Sequence, residues 1–379
     1  MVSRHTFNSE SADVVIVGGG VIGLSVALEL TCHGLHHVTL IERGELGAEA
    51  SWAAGGILGP QAEADSADQF FRLASASRDL YPDFAAALTE ETGIDVELDR
   101  TGTLYLGFTE ADEQEMRRRF EWQTRAGLDV ERLSSSEARG LEPNISLEVR
   151  CALRFPNDYQ VENRRLIRAL IAANQKLGVN LVTNCAVIEV KRAQGRVMGV
   201  ETSKGFVSAP IAMLAAGAWT RQIPPAQVEI EPVRGQMLCF DAAQFARHVI
   251  YSPRGYLVPR RDGRLLAGST SEQVGFEKRV TDNGVASIKQ MAFEIAPALA
   301  RQPVIDSWAG FRPHAGDHLP VIGKDEEIRG LFYATGHYRN GILLAPITAT
   351  IMTNLITGRP DPSELSAFSP GRFRMTAGV

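Results

Sequence analysis

Residues 13–23 read DVVIVGGGVIG, and this stretch decides the fold class. Its first five residues are mostly β-branched, which is typical of a buried strand in a parallel sheet. Gly18, Gly20 and Gly23 follow without interruption and complete the pattern G-x-G-x-x-G. Apolar residues at helical spacing come next, and Gly34 is placed to end that helix. The order of strand, glycine turn and helix predicts the first half of a Rossmann-like nucleotide-binding unit.

The glycines of this motif have separate physical roles. Gly18 permits the tight turn, Gly20 lets backbone N–H groups approach a pyrophosphate, and Gly23 lets the helix pack closely against the strand. The helix N-terminus adds about half a positive charge beside the phosphates. A second strand at 38–41 ends at Glu42, where a carboxylate can meet ribose hydroxyls. The motif predicts a dinucleotide without a 2′-phosphate and does not distinguish FAD from NAD.

The composition is that of an ordinary globular protein of two or three domains. Of the 379 residues, 44% are hydrophobic and 22% are charged. The net charge of −6 argues against nucleic-acid binding, which usually needs a basic face. The apolar run at 14–28 is too short and too rich in glycine to span a membrane, so we expect a soluble, cytoplasmic protein. Reduced thiols are expected at four widely spaced cysteines, Cys32, Cys151, Cys185 and Cys239.

The middle of the chain carries expectations of local structure. Three arginines at 117–119 lie in a charged helix predicted over 110–126, and we expect them on a solvent-exposed face. Short alternating segments between 180 and 208 predict a β-meander. Further strand-like runs after residue 230 predict a separate antiparallel sheet. The predicted fold class is therefore α/β with two interleaved domains.

Other segments suit close contact with a flat ligand. Residues 50–60 (ASWAAGGILGP) are small and nearly uncharged, and a hydrophobic strand at 211–214 runs into a small-residue turn. A strand at 331–334 leads into a glycine-rich loop and a helix that begins at Pro346. A loop of this kind before a helix N-terminus suits developing negative charge. Each segment by itself is also compatible with an ordinary packed loop.

A histidine pair invites a metal interpretation that the sequence does not support. His314 and His318 are four residues apart with Asp317 between them. Pro313 and Gly316 argue against a regular helix there, so the two imidazoles need not share a face. We therefore predict no metal site.

Together these segments resemble the D-amino-acid oxidase superfamily of FAD enzymes, and most closely the glycine oxidases of thiazole (thiamine) biosynthesis. The likeness is carried by residues 17–23 (VGGGVIG), 54–59 (AGGILG), 256–260 (YLVPR), 308–313 (WAGFRP) and 336–346 (GHYRNGILLAP). It implies a Rossmann-like FAD-binding domain interleaved with an antiparallel-sheet substrate domain. The expected boundaries are 12–84, 151–229 and 305–365 for the FAD-binding domain, and 85–150 and 230–304 for the substrate-binding domain.

The resemblance also implies which residues hold FAD. It places the pyrophosphate at the first glycine motif, and the isoalloxazine beside the C-terminal loop. The cofactor is expected to be noncovalent, because no cysteine follows Cys239 to provide the covalent link used by some relatives. The predicted cofactor-binding residues are Gly18, Gly20, Val21, Ile22, Gly23, Glu42, Arg43, Ser51, Gly55, Gly56, Ile57, Val187, Gly217, Trp219, His337, Tyr338, Arg339, Asn340, Gly341, Ile342 and Leu343.

Three further assignments concern the substrate. By resemblance, Arg312 binds the substrate carboxylate, Tyr256 assists it, and Arg339 is another contact on the substrate side. A planar guanidinium can grip a carboxylate by two parallel hydrogen bonds and so orient the amino acid over the flavin.

The activity implied is oxidative deamination of glycine or a similar small amine, such as sarcosine or D-alanine. Hydride transfer from Cα to flavin N5 would give the imine for thiazole biosynthesis, with O2 reduced to H2O2. Alternatives are a D-amino-acid or N-methyl-amino-acid oxidase or dehydrogenase of the same fold, a nicotinamide-dependent dehydrogenase, and a non-catalytic flavoprotein. The resemblance also implies a homo-oligomer, a tetramer.

Overall fold

The computed structural model describes residues 11–360 and 364–373, so residues 361–363 of the predicted segment 305–365 lie outside the described part. The helices are α1 (Val21–Cys32), α2 (Ala50–Ala53), α3 (Pro60–Glu63), α4 (Gln69–Thr92), α5 (Glu110–Arg125), α6 (Ser135–Leu141), α7 (Asn163–Lys176), α8 (Asp282–Ile295) and α9 (Ala345–Thr357). The strands are β1 (Val14–Val17), β2 (Val38–Ile41), β3 (Ile57–Leu58), β4 (Thr103–Gly107), β5 (Glu131–Ser134), β6 (Cys151–Phe155), β7 (Tyr159–Gln160), β8 (Asn180–Val182), β9 (Val187–Ala193), β10 (Arg196–Thr202), β11 (Gly205–Ser208), β12 (Ile211–Leu214), β13 (Ile230–Asp241), β14 (Val249–Ser252), β15 (Gly255–Pro259), β16 (Arg264–Gly268), β17 (Val304–Ala315), β18 (Val321–Lys324) and β19 (Leu331–Thr335).

A six-stranded sheet is built around β1, in the order β18-β19-β12-β1-β2-β8. All neighbours in it are parallel except β18 and β19. Successive side chains of β1 point to opposite faces. Val14 and Ile16 join the core formed with α1, α4, α7 and α9, while Val15 and Val17 join the core on the other face. Burial on both faces explains why the predicted strand reads as an unbroken apolar run.

The second face of this sheet is covered by a three-stranded antiparallel sheet in the order β11-β10-β9. The predicted meander between 180 and 208 is therefore only partly correct. Its first strand, β8, pairs in parallel with β2 and belongs to the six-stranded sheet. An edge position in a parallel sheet and a place in a meander give the same short apolar pattern, so the sequence could not separate them.

The second large sheet has eight strands in the order β17-β13-β16-β15-β14-β4-β6-β5. Helix α8 packs on one face, and the α/β fold class with a largely antiparallel second sheet is confirmed. The domain boundaries stay a prediction, but sheet membership differs from them at two places. Strands β6 and β17 pair within the eight-stranded sheet, although residues 151–155 and 305–315 were assigned to the FAD-binding domain.

One of the three arginines at 117–119 contradicts the predicted solvent-exposed face. Arg119 is buried, and its Nη1 donates to the carbonyl oxygens of Ala62 at 2.9 Å and Ala64 at 2.6 Å. Arg117 and Arg118 are exposed as expected. A guanidinium is tolerated inside because carbonyl oxygens in and just after α3 and the carboxylate of Asp65 accept hydrogen bonds from its two Nη groups. The sequence of α5 by itself does not show these partners.

The parallel strands end together at the edge where the site lies. Gly18 follows β1, Glu42 follows β2, Ala215 follows β12 and Gly336 follows β19. In open α/β sheets, ligands bind outside the carboxyl ends of the strands. Within residues 11–360 and 364–373, no helix is long and apolar enough to cross a membrane.

Candidate active site

A cavity of about 400 Å³ runs from the carboxyl ends of the parallel strands to the eight-stranded sheet. This size is within the usual range for small-molecule sites. Nearly all the predicted site residues line it. They are Gly18, Gly20, Val21, Ile22, Glu42, Arg43, Ser51, Gly55, Gly56, Ile57, Val187, Gly217, Trp219, Tyr256, Arg312, His337, Tyr338, Arg339, Asn340, Gly341 and Ile342.

Gly23 and Leu343 do not line the cavity but contact residues that support its wall. A Cβ at Gly23 would stand closer than 3.0 Å to the carbonyl oxygen of Gly18, so this glycine permits the contact between helix and turn. Leu343 is buried, and its carbonyl oxygen accepts the Ser77 hydroxyl at 2.6 Å. Both are predicted cofactor contacts because they belong to the segments that carry the family resemblance.

The first glycine turn has the features needed to receive a pyrophosphate. Gly18 has φ +112°. Gly20 is the N-cap residue of the twelve-residue helix α1, and it has no side chain that could cap the helix. A Cβ at Gly20 would meet only Ser51 Oγ, at 3.2 Å, so the backbone there is open to a ligand. Ser51 Oγ accepts the Val21 N–H at 2.9 Å. A helix N-terminus of this kind favours phosphate groups.

Glu42 and Arg43 stand beside this turn. The carboxylate of Glu42 accepts N–H groups from Gly19 at 2.8 Å and Gly44 at 2.9 Å, which fixes it at the cavity wall. Arg43 stacks on the ring of Trp219, with its guanidinium carbon 3.5 Å from the ring centroid. The residues at this end therefore fit an adenine dinucleotide, whose ribose requires an acceptor and whose phosphates require donors.

The loop between β19 and α9 is held by two hydrogen bonds from the long helix α4. Tyr81 donates to the carbonyl oxygen of Ile342, and the Ser77 hydroxyl binds Leu343 as described above. His337 is buried, and its Nε2 lies 3.1 Å from Thr348 Oγ1. Burial lowers the pKa of His337 to about 3, so its imidazole is neutral at physiological pH. His337 therefore adds no charge to the cavity at that pH.

The depressed pKa of His337 predicts a pH dependence of stability. Below about pH 6.5 the unfolded imidazole binds a proton and the folded one does not, so stability is lost as the pH falls. Between pH 6.5 and 5 the loss from this residue is expected to reach about 2 kcal/mol. Chemical unfolding of the wild type and His337→Gln at both pH values measures it. Equal losses in the two proteins would contradict the assignment.

Arg260 is a residue whose role sequence reasoning missed, although it lies in a segment that carries the resemblance. Its guanidinium is buried and donates to the carbonyl oxygens of Gly55 at 2.8 Å and Val161 at 3.1 Å. It also donates to the side chains of Gln160 and Asn163. Burial lowers its pKa to about 10, so it still carries its charge. Arg260 thereby fixes the Gly55–Gly56 loop at the cavity.

Arg312 reaches the cavity from β17. Its Nη1 donates to the Thr270 carbonyl oxygen at 3.0 Å and its Nη2 to Ser269 Oγ at 2.6 Å, so the guanidinium is oriented by its own chain. Gly235 on the neighbouring strand provides the space for it. A Cβ at Gly235 would lie closer than 3.0 Å to three atoms of that guanidinium.

Gly235→Ala is therefore expected to displace the Arg312 guanidinium. If Arg312 binds a substrate carboxylate, as the resemblance implies, the displacement should raise the KM for the amine substrate about tenfold, because misplaced donors no longer match a carboxylate. FAD content should be unchanged, since the change is at the substrate end. Steady-state kinetics and the visible spectrum measure the two quantities, and an unaltered KM would show that the cavity tolerates the methyl group.

Tyr256 and Arg339 both contact Tyr251, a residue that sequence reasoning did not single out. Tyr256 lies against Gly55 and stacks with Tyr251, their ring centroids 5.9 Å apart. Arg339 donates to the Tyr251 hydroxyl at 2.9 Å, and its Nη2 is 3.9 Å from Glu63. The nearby carboxylate of Glu63 raises the pKa of Arg339 further above its usual value. The only sequence signal for Glu63 was its place just after the glycine-rich segment 50–60.

The two histidines that invited a metal interpretation contact each other directly. His314 Nε2 and His318 Nδ1 are 3.0 Å apart, and no group of three possible ligands surrounds them or occurs elsewhere in the described ranges.

Comparison with known proteins identifies the class of the chain. The DAO family model, described as FAD dependent oxidoreductase, matches residues 13–355. The chain belongs to this family. It is an FAD-dependent oxidoreductase, and a nicotinamide-dependent dehydrogenase is no longer an alternative.

Individual relatives align with this chain over nearly all of its length. The chain is 36% identical to glycine oxidase of Pseudomonas aeruginosa, over 95% of this chain and 99% of that one. It is 35% identical to the bifunctional protein ThiO/ThiG of Trichormus variabilis, covering 96% of this chain and 56% of the relative. Among solved structures, glycine oxidase of Geobacillus kaustophilus superposes with a TM-score of 0.93 at 33% identity, over 96% of this chain and 99% of that one.

Proposed function

We propose that this enzyme oxidises glycine to its imine, with O2 as the electron acceptor and H2O2 as a product. The observation that carries the proposal is the guanidinium of Arg312, which hydrogen bonds hold in place at the cavity wall formed by the eight-stranded sheet. The similarity of the chain to glycine oxidases supports the proposal. Bound FAD supplies the two-electron oxidation that turns the Cα–N bond of the amine into an imine.

The residues of the chain bind and orient the substrate. Arg312 grips the carboxylate by parallel hydrogen bonds while Ser269 and Thr270 hold the guanidinium. Tyr256, packed on Gly55, contributes the wall beside it. Arg339 is already paired with Glu63 and Tyr251. The positive charge that remains to face the substrate is therefore that of Arg312. One such charge suits a monocarboxylate amino acid with a neutral amine.

The cofactor assignments follow the same division of the cavity. Gly18 to Ile22 would hold the pyrophosphate of FAD, Glu42 the ribose of the adenosine and Val187 the adenine, and all of them line the cavity. Gly55–Ile57 and the loop from His337 to Ile342 would border the isoalloxazine. The attachment is noncovalent. All four cysteines are free thiols, which also supports a cytoplasmic location.

The biological role that we propose is supply of the imine to thiazole biosynthesis, and the bifunctional ThiO/ThiG relative supports it. The proposed oligomer is a tetramer, which light scattering of the purified protein tests. A D-amino-acid or N-methyl-amino-acid oxidase is less well supported than a glycine oxidase, because the full-length relatives above are glycine oxidases.

The decisive experiment is anaerobic addition of glycine to the purified yellow protein. Bleaching of the flavin absorption, and its return with H2O2 on admission of air, is the expected result. Reduction of the flavin by sarcosine or D-alanine but not by glycine would indicate that the substrate is an N-methyl or D-amino acid. A reduced flavin that air leaves unchanged would indicate a dehydrogenase.

A further inference from the structure

The segment between β16 and α8 crosses from the eight-stranded sheet to the cofactor half of the cavity. We call residues 272–281 the clasp. Its tip carries Phe276, which is 41% exposed yet packs on two aromatic rings. The ring centroids are 5.2 Å from Trp219 and 5.6 Å from Phe311. Both of these residues line the cavity, so the tip closes over its wall.

A second contact of the clasp is ionic. Lys278 Nζ lies 2.7 Å from Glu49 Oε2, and Glu49 Oε1 lies 3.1 Å from Arg43 Nη2. Arg43 in turn stacks on Trp219. Arg43 and Glu49 belong to the connection between β2 and α2, Trp219 belongs to the one that follows β12, and all three line the cavity. The clasp therefore joins these connections to one another and to the eight-stranded sheet.

The base of the clasp is firmly anchored. Glu272 exchanges two backbone hydrogen bonds with Arg234 at 2.9 Å and accepts the Arg234 guanidinium at 2.6 Å. Gln236, which is fully buried, bonds to Glu272 at 2.7 Å and to the backbone of Thr281 at 2.8 Å. These hydrogen bonds hold both ends of the clasp to β13. The anchored ends leave the tip contacts at Phe276 and Lys278 as the part that can open.

We propose that the clasp retains FAD, and that Phe276 and Lys278 are positioning residues that set the rate at which the cofactor leaves. They act through Arg43, Glu49 and Trp219 and not by touching the reacting atoms. The proposal rests on the proposed placement of FAD in this cavity. A closed clasp fixes the wall beside the middle of the cofactor, and release requires the tip to lift.

The test measures FAD release from the holoenzyme. Each protein is diluted rapidly to nanomolar concentration in FAD-free buffer, and the anisotropy of flavin fluorescence is followed. Phe276→Ala is expected to release FAD roughly tenfold faster, since an aromatic cluster is lost. Lys278→Ala is expected to release it roughly threefold faster, because its ion pair is partly exposed. Val274→Ala, an exposed apolar residue of the same segment, is the matched control and should release FAD at the wild-type rate.

Unfolding midpoints of the holoenzymes in excess FAD check that each variant is still folded at the temperature of the release assay. Release rates within twofold of the wild type for both tip variants would overturn the proposal, as would an equally fast Val274→Ala. If Phe276→Ala does not fold, Phe276→Leu and Lys278→Ala provide the same comparison. A wild-type protein that binds no FAD in this cavity would instead refute the proposed function. That result is distinct, because it appears before any variant is compared.

Discussion

Replacement of Arg312 by alanine is expected to raise the KM for glycine about 100-fold or more while the protein keeps its FAD. The estimate assumes loss of two charge-assisted hydrogen bonds to the substrate carboxylate. Because Ser269 and Thr270 hold the guanidinium in place, little of its binding free energy is spent on ordering the side chain. Steady-state oxygen consumption as a function of glycine concentration measures the change in KM.

Two variants serve as controls for this result. Arg312→Lys keeps the charge but cannot form the parallel pair, so its KM should fall between those of the wild type and Arg312→Ala. Arg118→Ala removes an exposed arginine that does not line the cavity and should leave the KM unaltered. If the KM of Arg312→Ala remained near the wild-type value, another group would have to bind the carboxylate.

Gly23→Ala is expected to destabilise the fold by about 3 kcal/mol or more and to abolish FAD binding. A Cβ there would stand closer than 3.0 Å to a backbone oxygen, that of Gly18, and backbone cannot move aside as a side chain can. The helix α1 would have to move off the glycine turn, and its N-terminus would no longer face the phosphates. Denaturant unfolding and the flavin absorption of the purified variant report the two effects.

Gly140→Ala provides the matched control, because Gly140 is also a helical glycine and a Cβ there meets nothing within 4 Å. Alanine is favoured over glycine in a helix, so this variant should gain about 0.5–1 kcal/mol and keep its FAD. A Gly23→Ala protein that binds FAD with wild-type stability would mean that the close contact with Gly18 is not required.

The nucleotide-binding half of the cavity could be predicted well because its signals are local. Strand, turn and helix follow each other within residues 13–34, and each glycine there has a conformational reason that the sequence alone expresses. The strand β1 was predicted within one residue for the same reason. The likeness to a known family then supplied the substrate end, which no local pattern indicates. The sequence near Arg312 does not distinguish it from other arginines. Only the pairing of β17 with β13 shows that it lies at the cavity.

What only the tertiary structure decided are contacts between residues far apart in the sequence. The burial of Arg119, the four acceptors around Arg260 and the joining of Glu63 to Arg339 depend on which strands pair and on which loops meet. The membership of β8 in the parallel sheet has the same origin. The sequence by itself determined where the chain turns and which faces are apolar, because sterics and burial act residue by residue. Partners for buried charges are set by the packing of whole elements, and this is why they emerged only with the fold.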